Sequence, residues 1–321
     1  IYKIKKIYKT KMIENIVYIN KDKIPFKYRG RCEWWEIDNK EIELYNNTLG
    51  QGSVGIIHLA KWRGLLCACK KLNNNEKDNK DLKNELELIS HLRHPNLVLF
   101  LGACTIYEPL LLLYEYMENG SIDKYYNKKS NEYGKLWIPK SKIMYRWIYE
   151  LSSVIYFLHN CTIPIMHRDI KPSNILLSNT LHIKITDLGL SKAIKENNDI
   201  FKMSGNTGTL RYMAPEIIDS DNNYDLKIDV YSLSLNIWYI YTGQIPYNKY
   251  NAERYLDIFI KAGYRPEIGL IKCDKLSNLI LKMWNNNPNL RPDMKEVFDK
   301  IKDIDHIELK NKKKISCFNL I

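Results

Sequence analysis

The chain has 321 residues, 45% hydrophobic and 27% charged, with only 14 Gly and 11 Pro, a balance that excludes fibrous, collagen-like and wholly disordered proteins. Lys and Arg number 49 against 37 Asp and Glu, a net charge of +12 that suits nucleic acid, anionic lipid or a polyphosphate ligand without choosing among them. No run reaches the ~18–20 uninterrupted apolar residues of a membrane span, and seven scattered cysteines without a CxxC pair point to reduced, mostly buried thiols in an intracellular, cytoplasmic protein.

Residues 1–40 read as an N-terminal extension, Lys-studded and without the apolar block of a signal peptide. It ends in Trp34-Trp35-Glu36-Ile37-Asp38, whose paired indoles are expected to dock on the folded body. The chain begins at Ile1 rather than Met, which fits a piece of a longer protein; membrane tethering would come only through such a longer chain. From residue 42 to 72, short apolar runs broken by Gly predict antiparallel strands, with Arg63-Gly64 as the turn between 56–62 and 65–70. Leu82, Leu86 and Ile89 recur at helical spacing, and strands follow over 97–102 and 110–116. After Glu118-Asn119-Gly120 the character becomes helical: Ile143, Trp147, Leu151, Val154 and Leu158 mark one face of a long helix. Further helices are predicted near 227–242, apolar almost all round and closed by Gly243, near 251–262, closed by Gly263, near 275–286, and after Pro292 as a first helical position. Lys310, Lys312, Lys313 and Lys314 make residues 306–321 a basic, solvated tail.

Gly50-Gln51-Gly52-Ser53-Val54-Gly55 is a GxGxxG, weak alone because dinucleotide folds carry it too. A dinucleotide fold needs a helix directly after the glycines, whereas Ile56-Ile57-His58-Leu59-Ala60 continues as a strand. A glycine-rich flap whose backbone N–H groups approach phosphate oxygens fits better. Fifteen residues after Gly55, Cys67-Ala68-Cys69-Lys70 puts a small residue and then a lysine on the returning strand. Lys70 is placed to reach phosphates and Glu85 to pair with it, although a surface Lys and a surface Glu are the bland alternative.

The densest signal is His167-Arg168-Asp169-Ile170-Lys171-Pro172-Ser173-Asn174, followed by Ile183-Lys184-Ile185-Thr186-Asp187-Leu188-Gly189 and Ala214-Pro215-Glu216. With these in order, the sequence from about residue 41 to 304 resembles the eukaryotic protein kinases. Trp62-Arg63-Gly64, His94-Pro95-Asn96 and Gly208-Thr209-Leu210-Arg211-Tyr212-Met213 are similar to the tyrosine-kinase-like group of Ser/Thr kinases, of Raf or mixed-lineage type. The resemblance implies an α+β bilobal fold: a kinase domain at 41–305, with a small antiparallel-sheet N-lobe carrying one main helix (41–118) and a larger, mainly helical C-lobe (119–305).

It also implies roles. Phosphoryl transfer is mostly positioning and charge stabilisation, so Asp169 would accept the hydroxyl proton, Lys171 would neutralise the transferring group, and Asn174 and Asp187 would be the Mg²⁺ ligands, with Mn²⁺ as a substitute ion. Lys70 and Glu85 complete the catalytic set. ATP would lie against Leu49, Gly50, Gln51, Gly52, Ser53, Val54 and Gly55, with Ile57 and Ala68 above the adenine and Leu176 below. Tyr114 would be the gatekeeper, Glu115 and Met117 would offer backbone hydrogen bonds, and Ser121 would sit near the ribose. Thr209 would bond Asp169 and Lys171, Asp229 would anchor His167, Ile89, Phe100, Leu188 and His167 would form a stacked internal spine, and Arg291 would pair with Glu216. Arg168 beside Asp169 implies an activation segment ordered by phosphate, with Ser204 or Thr207 as acceptors for an upstream kinase or for self-phosphorylation.

Departures from the family pattern are Leu188 for the usual Phe, the cysteines flanking Ala68, and Ser234 for the common Gly, where a side chain could crowd a helix contact; none removes a catalytic group. A Mg·ATP-dependent protein Ser/Thr kinase acting on protein substrates is the leading reading. A dual-specificity kinase and a nucleotide-binding pseudokinase or scaffold are alternatives. A nucleic-acid or membrane binder has only Tyr28, Arg29, Arg31, Trp34 and Trp35 to support it, and no specific nucleic acid is expected. Oligomeric state is open.

Overall fold

The computed structural model describes residues 35–51, 55–72, 86, 89–106, 109–188, 192–193, 210–218, 224–248 and 255–309. The chain divides into two compact units, Ile1–Asn74 with Leu101–Tyr114, and Asn75–Phe100 with Glu115–Ile321.

The first unit is built on a sheet of β1 (Ile42–Gln51), β2 (Gly55–Trp62), β3 (Leu65–Leu72), β4 (Phe100–Cys104) and β5 (Leu111–Glu115), in the order β1-β2-β3-β5-β4. The predicted turn is there: Trp62 pairs with Leu65, and Arg63 and Gly64 both take positive φ, 49° and 84°, the two-residue geometry that matches strand twist. Alternation sends Ala60, Cys67 and Cys69 to one face, where they join Ile37, Cys104, Leu111 and Leu113 in a buried cluster. Burying the Ile and Leu side chains among them contributes ~1.5–3 kcal/mol each. The expected docking of the extension is seen at Trp35 and Ile37, both buried. Ile37 N donates to Ala103 O (2.8 Å) and Ala103 N to Trp35 O (2.8 Å), so the strap adds to the β4 edge. Gly102 is needed there, because a Cβ would lie 2.7 Å from the Trp35 carbonyl oxygen. Trp34 lies outside the described residues.

The strand expected at 97–102 is displaced to Phe100–Cys104. The backbone at 97–98 is taken by the other unit instead: Val98 N donates to Ile185 O (3.0 Å) and Ile185 N to Asn96 O (2.8 Å).

The second unit holds α1 (Ile122–Tyr133), α2 (Ser141–His159), the short strands β6 (Ile165–Met166), β7 (Ile175–Leu177), β8 (Ile183–Ile185) and β9 (Lys192–Ala193), then α3 (Pro215–Ile218), α4 (Lys227–Thr242), α5 (Leu256–Lys261), α6 (Asp274–Met283) and α7 (Met294–Lys302). β6 pairs with β9 and β7 with β8. α2 carries the predicted apolar face, with Trp147, Leu151, Val154 and Leu158 buried. α4 is the central helix that its all-round apolarity predicts, buried from Ile228 to Thr242 and packed by α2 and α6. Gly243 ends it in the left-handed conformation, φ 67°. Pro292 is not a first helical position, a correction to the sequence reading. Asp293 follows it as the N-cap of α7, accepting from Glu296 N at 2.8 Å, and a side chain that satisfies an orphan N–H sets the start. α6 stops at Met283, short of 286.

Candidate active site

The second unit assembles an irregular loop between β6 and β7 whose backbone cannot satisfy itself and is held by side chains. Asp229, fully buried in α4, accepts from Arg168 N through Oδ1 (2.9 Å) and from His167 N through Oδ2 (2.8 Å). His159 Nε2 of α2 lies 2.9 Å from the same Oδ2. Burial alone would raise the Asp229 pKa, but the hydrogen bond and charge of His159, with those of His167, outweigh it and hold the carboxyl below its ordinary value. These ties fix Arg168 at φ 69°, a left-handed conformation that a non-glycine residue keeps only when its surroundings impose it. Asp187 has φ 68°, the same conformation at the other expected site.

Between those ties sits Asp169, itself buried. Its Oδ2 lies 2.7 Å from Lys171 Nζ and accepts from Asn174 Nδ2 at 2.8 Å. The same Asn174 amide donates to the Asp169 carbonyl, also at 2.8 Å. One carboxylate oxygen is thereby locked, while Oδ1 is buried and has no partner among the described residues. Thr186 N donates to Asn174 O (3.0 Å), and the His167 ring nitrogen Nε2 is 3.2 Å from Thr186 O, so the approach to Asp187 is tied to the same loop. Asp169, Lys171 and Asn174 are thus brought together, with Asp187 directly after the Thr186 tie. A cleft beside Asp169 is lined by Arg168, Ile170, Tyr212, Met213 and Ala214.

The segment from Glu115 to Ser121 also belongs to this unit. Gly120 turns it at φ 64°; Leu177 N donates to Gly120 O (2.9 Å) and Asn119 N to Leu177 O (3.2 Å), which sets Ser121 opposite Leu176. Met117 and Ser121 are buried and Leu176 is half-buried. The Glu115 carboxylate accepts from Leu99 N and Lys184 Nζ, both at 2.6 Å, so its side chain serves to pin this segment.

In the first unit, register puts Gly50 opposite Ile57 and Ile57 opposite Lys70. Ala68 stands two residues before Lys70 and therefore on the same face. Lys70 is buried and Ala68 and Tyr114 half-buried. A Cβ at Gly55 would sit on the carbonyl oxygen of Lys71, so no other residue fits there without backbone movement. Cys67 and Cys69 face the opposite core with 0% exposure; burial pushes their thiols up to about 11 and about 12, which keeps them protonated and inert. Leu49 and Gln51 lie on β1. Gly52, Ser53, Val54, Glu85, Ser204, Thr207 and Thr209 lie outside the described residues.

Arg291, whose side chain is 0% exposed, pairs with Glu216 through two bonds, Nη1 to Oε1 (2.6 Å) and Nη2 to Oε2 (2.8 Å). Ile89, Phe100, His167 and Leu188 are all buried. The Ser234 hydroxyl donates to Tyr231 O at 2.6 Å within its own helix. Sequence reasoning missed His159, Ser232 and Asn236. The available signal was polar residues at 229, 232 and 236, which share one face of a mostly apolar helix.

Residues 44–301 match the family described as protein tyrosine and serine/threonine kinase. The chain is 35% identical over 294 residues to serine/threonine-protein kinase VIK of Arabidopsis thaliana, covering 88% of this chain and 64% of that protein. It is 32% identical to putative serine/threonine-protein kinase/receptor R818 of Acanthamoeba polyphaga mimivirus (86% and 16% covered), and 33% identical to dual specificity protein kinase shkB of Dictyostelium discoideum (82% and 40% covered). The chain spans less than two thirds of the length of these relatives.

Proposed function

From the premise that this chain belongs to the protein tyrosine and serine/threonine kinase family, its Ser/Thr-kinase relatives agreeing with the tyrosine-kinase-like group, we propose that it transfers the ATP γ-phosphoryl group to Ser or Thr hydroxyls of protein substrates. The observation that carries this is the Asp169 carboxylate: one oxygen locked by Lys171 and Asn174, the other buried and without a partner among the described residues. A buried carboxylate oxygen held in a fixed orientation is what a substrate hydroxyl needs in order to be aimed and to give up its proton. Lys171 would hold positive charge beside the transferring group, where charge stabilisation does most of the work. Asn174 would keep Asp169 in place.

The donor set fits a magnesium ion. Asn174 and Asp187 offer hard oxygens, and magnesium commonly takes one or two protein ligands plus phosphate oxygens and water. When bound, the ion would neutralise phosphate charge. Lys70, with Glu85, would hold the phosphates under residues 49–55, and the adenine would meet Ile57, Ala68, Tyr114, Glu115, Met117 and Leu176, with Ser121 near the ribose. We assign the kinase domain to 41–305, with phosphorylation at Ser204 or Thr207 as its switch through Arg168.

The test is incubation of the full chain with Mg²⁺, γ-labelled ATP and a generic acceptor protein, beside Asp169→Asn. Phosphoserine or phosphothreonine is expected, reduced ~10²–10⁴-fold in the variant. Phosphotyrosine alongside would widen the reading to dual specificity. ATP binding without transfer, in protein carrying phosphate on Ser204 or Thr207, would overturn it in favour of a pseudokinase.

A further inference from the structure

We propose that Asn236 is a positioning residue for phosphoryl transfer, the second of two ties by which α4 brackets Asp169; this rests on the reading of Asp169 as the group that receives the substrate proton. α4 is buried along nearly its whole length, an environment that favours apolar side chains throughout. Yet Asp229, Ser232 and Asn236 lie on one face at helical spacing, and all three direct polar atoms outward from the helix or along it. Asp229 takes the N–H groups of His167 and Arg168. The Ser232 hydroxyl donates to Tyr212 O at 2.7 Å. Asn236 donates through Nδ2 to Ile170 O at 3.0 Å and to Ser232 O at 2.7 Å.

Asn236 is 0% exposed, and its Oδ1 is buried with no partner among the described residues. An unpaired buried carbonyl opposes folding, and a leucine, larger but with the same branched four-atom skeleton, would remove that cost. What leucine cannot supply is the donor to Ile170 O. With it, the loop is fixed on both sides of Asp169: at 167 and 168 by Asp229, at 170 by Asn236. The carbonyls of Asp169 and Ile170 are then each capped by a side-chain amide, from Asn174 and Asn236. Ser234 is the internal control, being equally buried in α4 and bonded only to its own helix.

The experiment compares full-chain wild type with Asn236→Leu, Asn236→Met, Ser234→Ala and Asp169→Asn. For Asn236→Leu the expectation is kcat lowered about tenfold, KM for ATP within about twofold of wild type, and a Tm within a few degrees of wild type, because the unpaired carbonyl removed at Asn236 offsets the one created at Ile170. Amide hydrogen exchange should quicken in peptides spanning 169–174 and stay unchanged in 229–242; this readout does not depend on turnover. Ser234→Ala should leave kcat and loop exchange alone. Unchanged kcat and loop exchange in Asn236→Leu would overturn the proposal. So would kcat, KM and Tm falling together, or failure of both the Leu and Met variants to fold, since each marks a merely structural residue. Activity surviving in Asp169→Asn would instead defeat the underlying assignment of the base, whereas an inactive Asp169→Asn beside a normal Asn236→Leu would defeat only this inference.

Discussion

The sheet of the first unit and the loop around Asp169 in the second are held in place by different physics. Gly50, Ile57 and Lys70 occupy their row because antiparallel register puts them there, and the register is enforced by an apolar underside of Ala60, Cys67, Cys69, Leu111 and Leu113. Residues 167–171 have no ladder. Their geometry comes from Asp229, His159, Asn174 and Asn236, buried polar groups that are worth having only while every partner stays in place. Changes beneath the sheet should therefore act in proportion to volume, whereas changes beneath the loop should be abrupt and should reach turnover.

The largest effect expected on this view comes from a buried polar tie of the same unit as the loop, the pair that Arg291 makes at the start of α4, where it also donates to Lys227 O (3.1 Å). Arg291→Ala leaves Glu216 without its two-bond partner and empties a site at 0% exposure; breaking a buried pair this way costs ~3–5 kcal/mol. Urea unfolding should show it, and a loss below about 1 kcal/mol would mean that the pair behaves as a surface bridge. Next comes Asp229→Asn. The amide can accept from one of the two loop N–H groups but presents its own donor to the other, a loss of ~1.5–3 kcal/mol for bonds to a charged group. Because the Asp229 pKa lies below its ordinary value in the folded protein, its contribution is complete above the unfolded value of ~3.9 and is lost as pH falls through the folded one. The stability gap between wild type and Asp229→Asn should be constant near neutrality and narrow below about pH 4. A gap independent of pH would show that the carboxylate charge is not what holds the loop.

The same contrast explains what could be read from the sequence. The β2–β3 hairpin was legible because Arg63-Gly64 and strict alternation are local signals, and α4 because a helix apolar on all sides has only one place to go. The residues of the 167–174 loop were legible through their family motifs. α1 was not, since only Ile122, Tyr125 and Tyr126 of its twelve residues are buried, too few to raise a period above the Lys and Asn around them. The strand expected at 97–102 slid because Val98 bonds to Ile185, a long-range choice that propensity cannot see. Asn236 was hidden for a related reason: one amide in an apolar helix has no meaning until the carbonyl it meets, Ile170, is known.

On the sheet side, Gly55→Ala should be the strongest single change. The added methyl meets the Lys71 carbonyl, with its carbon 3.0 Å away, and backbone cannot swing aside as a side chain can. Overpacking of this kind costs ~1–3 kcal/mol, read as a lower urea midpoint, with KM for ATP rising as the β2–β3 register loosens; a midpoint within error of wild type would mean that the strands simply separate there.

The smallest effect is expected where the sheet does use a polar tie. Glu36 accepts from Thr105 N (3.0 Å) and Thr105 Oγ1 (2.7 Å), fastening the Trp35–Ile37 strap to the β4 edge. In Glu36→Gln one of those acceptors becomes a donor, and the half-buried position lets water take its place, so about 1 kcal/mol is lost. The strap keeps its backbone pairing with Ala103 and its buried Trp35 and Ile37, and kcat should stay at the wild-type value. A fall in kcat at matched stability would mean that the β4 edge communicates with turnover as the loop supports do, and the division between a sheet held by volume and a loop held by polar ties would have to be redrawn to include this edge.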